Sequence, residues 1–451
     1  MPVSMLRRFS LYGFLKNQQY YAPFIILAFR DKGLTFFTIG LLVGFRELAV
    51  NVLEVPTGVV ADLSGRRRSM VFSFLAYIVS FVVFGTYLSL GAPLDAAAAS
   101  DGTLGQVVQV WPLFAAMVLF AIGEAFRTGT HKAMILDWLR LEGREAEKTQ
   151  TYGLTRSWAK AGSAVAVVIA TALLLLLRRG SQPQYGLVFF FCIVPYALGI
   201  VNFLGYPHEL DGRPEHAPTL RNMWGQLAAA FRQVFGHRRL RRVFAESMSY
   251  QGMHKVASSY MQPVARQMAM ALPLAALLCE ADRTTVVAGA VYLVLALVSV
   301  FGSLKSAAVA RRFGGEQRAA RALWLCTLLA YIPVAIALGC QLFWLAAVAL
   351  VVLSVLFNFW RPITITRIDN ETDARMGATL LSIESQGQAL VAMVLAPAVG
   401  FLVDHLAATP EQPALWVVGI VGVGVALLGT LTPTLSAADT SDSGRNAGGS
   451  V

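Results

Sequence analysis

The sequence predicts an all-α membrane protein of twelve transmembrane helices, arranged as two six-helix halves joined by a polar linker. Three observations lead there. Hydrophobic residues make up 56% of the 451 and charged residues only 14%, with a mean hydropathy of +0.59, an apolar excess that no soluble core can bury. Apolar runs close to the ~20 residues that cross a ~30 Å hydrocarbon core recur from Phe14 almost to the end. Lys and Arg fall unevenly on alternate loops.

Taken in order, the chain opens with Arg7 and Arg8 before an apolar run, as a signal peptide does. Lys16, Asn17, Gln18 and Gln19 interrupt that run and no small-residue cleavage pattern follows, so the first helix is expected to stay attached. Hydropathy places the first six helices at Phe14 to Phe29, Phe37 to Val60, Met70 to Leu90, Trp111 to Leu136, Trp158 to Leu177 and Leu187 to Leu204. The second six run at Val243 to Met268, Val286 to Val309, Ala322 to Leu338, Leu342 to Ile365, Gly377 to Leu402 and Ala414 to Leu431. The expected domains are therefore residues 1–205, a linker at 206–242, residues 243–435 and a tail at 436–451.

Within the linker, Met223, Leu227, Phe231 and Phe235 recur every four residues beside the basic run Arg238, Arg239, Arg241 and Arg242. That pattern predicts an interfacial helix on an anionic leaflet. The tail from Ser436 has no periodic apolar face and is expected to be disordered.

Orientation follows from the basic residues, because positively charged loops resist translocation. With the N-terminus inside, 23 of the 37 Lys and Arg are cytoplasmic, 5 are outside and 9 lie within helices. Both termini and the loop around Arg213 are then cytoplasmic, with Asp101 and Glu411 outside, in a plasma (inner) membrane. The net charge of +11 is thereby a matter of lipid topology, and no basic soluble module points to nucleic acid. Cys192, Cys279, Cys326 and Cys340 lack the paired spacing of a zinc site and read as packing residues.

Between the second and third helices the chain reads Glu54-Val-Pro-Thr-Gly-Val-Val-Ala-Asp-Leu-Ser-Gly-Arg-Arg-Arg68. Gly58 permits close helix approach, Gly65 a tight turn, and Asp62 can accept hydrogen bonds at a neighbouring helix N-terminus. The segment resembles the signature loop of the major facilitator superfamily, with Gly58, Asp62, Gly65, Arg66 and Arg67 in register as a gating motif. Leu63 departs from it, standing where a basic residue usually follows the acid. In the second half the counterpart, Ala307 to Gly314, keeps the Gly but places Arg311 at the acidic position. Arg127-Thr-Gly129 is similar to a further motif of the family, whereas Gly162 to Val167 lacks the proline of the antiporter motif. The resemblance implies two halves rocking about a midplane site, with the first, fourth, seventh and tenth helices lining the cavity.

Ionisable side chains inside a bilayer cost ~2.5–3.5 kcal/mol on insertion scales and should face a cavity or a partner. Lys16, Glu246 and Lys160 lie close enough to the inner surface to snorkel. Deeper are Arg46, Glu47, Glu124, Arg127, His254, Lys255 and Glu384. Glu124, Arg127 and His131 share a helical face, either as a structural network or as a functional one. Ser247, Gln251, His254, Ser258 and Gln262 form a polar stripe, wet or bonded to a neighbouring helix. Gly129-Thr-His-Lys132 and Gly252-Met-His-Lys255 echo one another. Arg361, three residues after Asn358, can grip an anion or pair with Glu384. Tyr20, Tyr21, Phe24 and Trp360 serve packing or stack on an organic solute.

These readings converge on a secondary active transporter of a small organic solute, working by alternating access as a monomer without a cofactor. No Gly-x4-Gly-Lys-Ser/Thr, His-Glu-x-x-His or Gly-x-Ser-x-Gly sequence occurs, which argues against an ATPase or an enzyme. Protons are the expected coupling ion, with Glu47, Glu124, Arg127, Gln251, His254, Lys255, Arg361 and Glu384 as candidate substrate or coupling residues. A non-transporting sensor or membrane-embedded enzyme on the same fold is the alternative.

Overall fold

The computed structural model describes residues 2–90, 109–180, 182–211, 225, 232, 234–271, 278–370, 377–409 and 412–431, apart from some side chains within these, Asp62 among them. Asp101, Arg213, Glu411, three of the four apolar positions of the expected linker helix (Met223, Leu227 and Phe231) and the tail lie outside the described residues. The architecture is helical throughout, and among the described residues the only β pairs are isolated bridges at Arg179 with Gln182 and Thr409 with Gln412.

The helices before the linker are α1 (Pro2–Lys16), α2 (Ile25–Asp31), α3 (Phe36–Ser64), α4 (Arg66–Leu90), α5 (Trp111–Arg127), α6 (Thr130–Leu141), α7 (Lys148–Leu176) and α8 (Tyr185–Leu204). After it come α9 (Arg238–Ser259), α10 (Met261–Ala271), α11 (Glu280–Arg312), α12 (Glu316–Gly339), α13 (Phe343–Asn370), α14 (Gly377–His405) and α15 (Trp416–Leu431). Among the described residues, nine helical stretches are long and apolar enough to cross a membrane. The first and seventh expected spans are interrupted helices, and α15, with 16 residues, is shorter.

The interruptions differ from the continuous helices read from hydropathy, and each has a local cause. The expected helix from Phe14 to Phe29 instead ends at Lys16 and resumes at Ile25. Asn17 Nδ2 turns back onto Gly13 O at 2.7 Å, and Pro23 has no N–H to give a helix. The fourth helix breaks at Thr128, which is extended, and Gly129, whose φ of 86° suits glycine. The seventh breaks at Tyr260, after which Pro263 cannot donate back to the preceding turn. Charged ends are also helical: α4 begins at Arg66 and α11 reaches Arg312.

Within each group the packing repeats. Helix α4 packs on α5 and α8 as α12 does on α13 and α15, and α3 meets α5 as α11 meets α13. The groups touch mainly where α3 meets α14 and α7 meets α11, and also where α2 meets α10. Small residues set the first: a Cβ on Gly44 would lie 2.8 Å from Met393 O, so only glycine permits that approach. Val234 joins Phe244, Ile368, Leu380 and Ile383 in a small core at the end of the second group, whereas Phe235 is exposed. Cys192 is buried as expected of a packing residue, but Cys326 and Cys340 are exposed on the outside of the bundle.

Candidate functional site

Two faces of the bundle are distinguished by their loops, a basic face at Gly65 to Arg68 and an opposite face at Lys32 to Thr35. On the opposite face, the second group supplies side chains that satisfy backbone donors of the first. Gln262 Oε1 accepts from Ile26 N at 2.7 Å and Leu27 N at 3.4 Å, while its Nε2 donates to Ala22 O at 2.9 Å. Asp404 accepts from Phe36 N at 3.1 Å and Phe37 N at 2.7 Å, capping α3. Ion pairs Asp31–Arg266 at 2.9 Å and Arg178–Asp282 at 2.5 Å join the groups on the same side.

Nearer the middle, Glu47 of α3 accepts from its neighbour Arg46 at 2.6 Å and from Lys255 of α9 at 2.5 Å, bridging the groups. Asn51 Nδ2 to Gln386 O, 3.3 Å, and Lys160 Nζ to Ser299 Oγ, 3.0 Å, are further cross-group bonds. Helices α5 and α6 share no side-chain hydrogen bond or ion pair with α13 among the described residues. The closure thus lies on the opposite face and fades toward the basic face.

Beside the Glu47 bridge each group carries one carboxylate with an arginine. In the first, Glu124 pairs with Arg127 and accepts from Tyr77 Oη. Arg127 Nη1 reaches Tyr12 Oη at 3.5 Å, and the Tyr12 ring stacks on His131 at 3.7 Å. His131 is therefore held in an aromatic cluster with Phe9 and Tyr206. In the second group, Glu384 has no exposure and accepts from Arg361 Nη1 at 2.6 Å, Ser247 Oγ at 2.5 Å and Gln251 Nε2. Of the two options left open by sequence, Arg361 takes the carboxylate pairing, with its side chain still 30% exposed.

Other candidates sit in surroundings that the sequence did not specify. His254 stacks flat on Phe357 at 4.0 Å, and no hydrogen bond or ion pair to it occurs among the described residues. The stripe it belongs to is split: Ser247, Gln251 and Gln262 are buried in bonds to other helices, while Ser258 is exposed. The sequence echo is not a structural one, since Gly129 starts a helix and Gly252 lies inside one. Glu246 does not snorkel; it is buried between Arg242 at 2.7 Å and Arg367 at 2.8 Å. Tyr20, Tyr21, Phe24 and Trp360 are all buried, Trp360 stacked on Tyr250 at 4.0 Å, so they pack.

At the basic face, Gly65 makes the turn between α3 and α4 with φ of 95°. Arg66 pairs with Asp137 of α6; Arg67 N donates to Asp211 Oδ1 at 2.8 Å and its Nη1 to Tyr206 O at 3.0 Å. These partners belong to the same group, and Asp211 places an acid at the α4 N-terminus. Gly58 lies within α3, and the side chain of Asp62 is outside the described residues. Asp137, Asp211 and Asp404 were not singled out by sequence, whereas Gln262 was legible as the last member of the polar stripe; of the three acids only Asp404, just before a loop, carries even the faint signal of an acid near a helix end.

Residues 10–387 match the model of the Major Facilitator Superfamily. The chain belongs to the major facilitator superfamily. The nucleoside transporter NupG is similar in structure with a TM-score of 0.70 at 12% identity, covering 94% of this chain and 97% of that one. A D-xylose-proton symporter gives 0.65 at 14% identity, over 96% and 99%. The xylose transporter XylE from E. coli in an inward open conformation gives 0.60 at 12% identity, over 97% and 98%. At these identities the likeness is one of fold. No curated protein matches the chain in sequence. As a superfamily member with multiple apolar helices, the chain is a multi-pass membrane protein and a secondary transporter.

Proposed function

We propose that this superfamily member moves a small organic solute by alternating access, coupled to protons, with residues 1–205 and 243–435 as the two rocking bodies. The observation that carries the reading is the Glu47–Lys255 contact, which ties the groups beside the Glu124–Arg127 pair. A carboxylate whose cationic partner withdraws becomes a better proton acceptor, so parting the groups changes the proton affinity of Glu47. Solute entering among Arg127, Gln251, Lys255 and Arg361 competes for the same cations and links its own binding to that step. His254 contributes by stacking, and Glu384 holds Arg361 in place.

In this reading the basic face is cytoplasmic, the carrier sits in the plasma membrane, and one copy suffices. Gly58, Asp62, Gly65, Arg66 and Arg67 form the gate at that face when it closes. Impermeant thiol labelling of cysteines placed at 101 and 411 should succeed from outside; labelling from the cytoplasmic side alone overturns the orientation. Transport itself is tested by paired uptake and efflux screens in a deletion strain, then counterflow in proteoliposomes. Binding without counterflow would instead mark a sensor.

A further inference from the structure

We infer that the carried solute is a small organic anion, with its carboxylate among the cations between the two groups and its apolar body in a cavity lined by α9, α10, α11 and α13. The inference rests on the transport reading above and names the class of solute.

The first observation is charge. Lys16, Arg46, Arg127, Lys132, Lys255 and Arg361 lie within a connected electrostatic neighbourhood. The carboxylates in the same neighbourhood are Glu47, Glu54, Glu124 and Glu384. Arg156 adjoins Lys132 in the same neighbourhood, so seven cations stand against four carboxylates, with Lys132 and Arg156 at its exposed edge. A lining of net positive charge draws an anion in preference to a cation or a neutral solute.

The second observation is unused hydrogen-bonding capacity. Arg361 engages both Gln251 and Glu384 through Nη1 alone, leaving Nε and Nη2 without a partner among the described residues. Arg127 Nε is buried and likewise unpartnered. No hydrogen bond or ion pair holds the Lys16 or Lys132 ammonium among the described residues, although both lie within electrostatic reach of Arg127. A planar guanidinium with free donors suits a carboxylate.

The third observation places the body of the solute. A cavity of about 170 Å³ is lined by apolar Met261, Leu295, Leu350 and Leu353 and, on its polar side, by His254, Tyr292 and three serines, Ser354 among them. A cavity of roughly 150 Å³ holds one benzene ring. Ser354, Asn358 and Arg361 follow one face of α13, so the cavity and the guanidinium are about 10 Å apart along the axis at 1.5 Å per residue. Phe357, stacked on His254, lies between them. An arylalkanoate or branched alkanoate fits that span.

The test uses the purified full-length protein and a panel of aromatic and aliphatic carboxylates, each with its neutral amide and its amine. Thermal midpoints are titrated in detergent, and counterflow of the panel is measured in proteoliposomes. At least one carboxylate should stabilise the protein and bind ten-fold or more tightly than its amide, with the amine inactive. Lys16→Gln should weaken that carboxylate about ten-fold without moving the unliganded midpoint. Because Arg361→Gln strands buried Glu384, the double variant Arg361→Gln/Glu384→Gln is used beside it and should weaken binding equally. Leu353→Trp should exclude ring-bearing acids while sparing acetate-sized ones. Equal stabilisation by amides or amines, no stabilisation by any carboxylate, or undiminished affinity in Lys16→Gln and the double variant overturns the anion assignment. Carboxylate binding with no counterflow leaves the anion class standing and refutes transport; counterflow of amines or amides alone does the reverse.

Discussion

Lys255 Nζ lies 2.5 Å from Glu47 Oε2, joining α9 of the second group to α3 of the first. The other cross-group ion pairs among the described residues, Asp31–Arg266 and Arg178–Asp282, belong to the opposite face, which makes this the inner member of the series. Breaking it should loosen the closure. Glu47→Gln is expected to raise the accessibility of a cysteine at position 43 to an impermeant reagent applied at the opposite face, and Glu47→Lys/Lys255→Glu to restore protection. Unchanged labelling in Glu47→Gln would mean that the pair does not hold the closed state.

Asp404 acts on the same closure by another route. It caps two backbone N–H groups of α3 across the interface, and loss of a cap costs about 1–2 kcal/mol. Asp404→Ala should therefore lower the stability of the closed state by about that much and increase labelling on the opposite face. Asp404→Asn, which can still accept one bond, should fall between the two. The check is a denaturant or thermal titration run alongside labelling.

Glu384 has no exposure, so removing its charge leaves Arg361, itself 30% exposed, facing a neutral partner. Separating a buried pair costs about 3–5 kcal/mol. Glu384→Gln is expected to lose at least about 2 kcal/mol, its amide retaining bonds to Ser247 and Gln251, and Arg361→Gln/Glu384→Gln should recover part of that. A double variant less stable than either single variant would contradict the pairing as the cause.

Two glycines separate contact from conformation. Gly44→Leu must push α3 from α14, because the added Cβ meets Met393 O at 2.8 Å, and overpacking of this kind costs about 1–3 kcal/mol. Gly129→Ala meets nothing within 4 Å and loses only the left-handed freedom, about 1–2 kcal/mol. The first should impair rocking and the second only stability, which counterflow at equal protein levels would resolve.

Hydropathy made most helices legible, because a run of apolar residues long enough to cross a bilayer has few other uses. The breaks at Asn17, Thr128 and Tyr260 were not, since turns flanked by apolar helices keep a membrane-like average. Pro23, Gly129 and Pro263 were the available signals. For the site, depth pointed to Glu47, Glu124, Lys255 and Glu384, yet periodicity assigns a helical face and not the helix it meets. Hence Glu47 with Lys255, and Gln262 with Ile26, emerge only when α3 and α2 are placed against the second group. Asp211 illustrates the limit: an acid at the end of a short 3-10 turn, 144 positions from Arg67, caps the helix that the motif precedes.

The proposed coupling of protons to solute is tested most directly by the pH change that accompanies solute entry into proteoliposomes. The probe is the carboxylate giving the largest thermal shift, and counterflow is measured on the same vesicles because it requires binding and rocking but no gradient. Wild-type protein should move protons with the solute, whereas Glu124→Gln and Glu47→Gln should keep counterflow within a few-fold and lose at least nine-tenths of the accompanying proton movement. Wild-type proton movement per solute in both variants would contradict the account, leaving Glu47 and Glu124 as structural partners of Lys255 and Arg127.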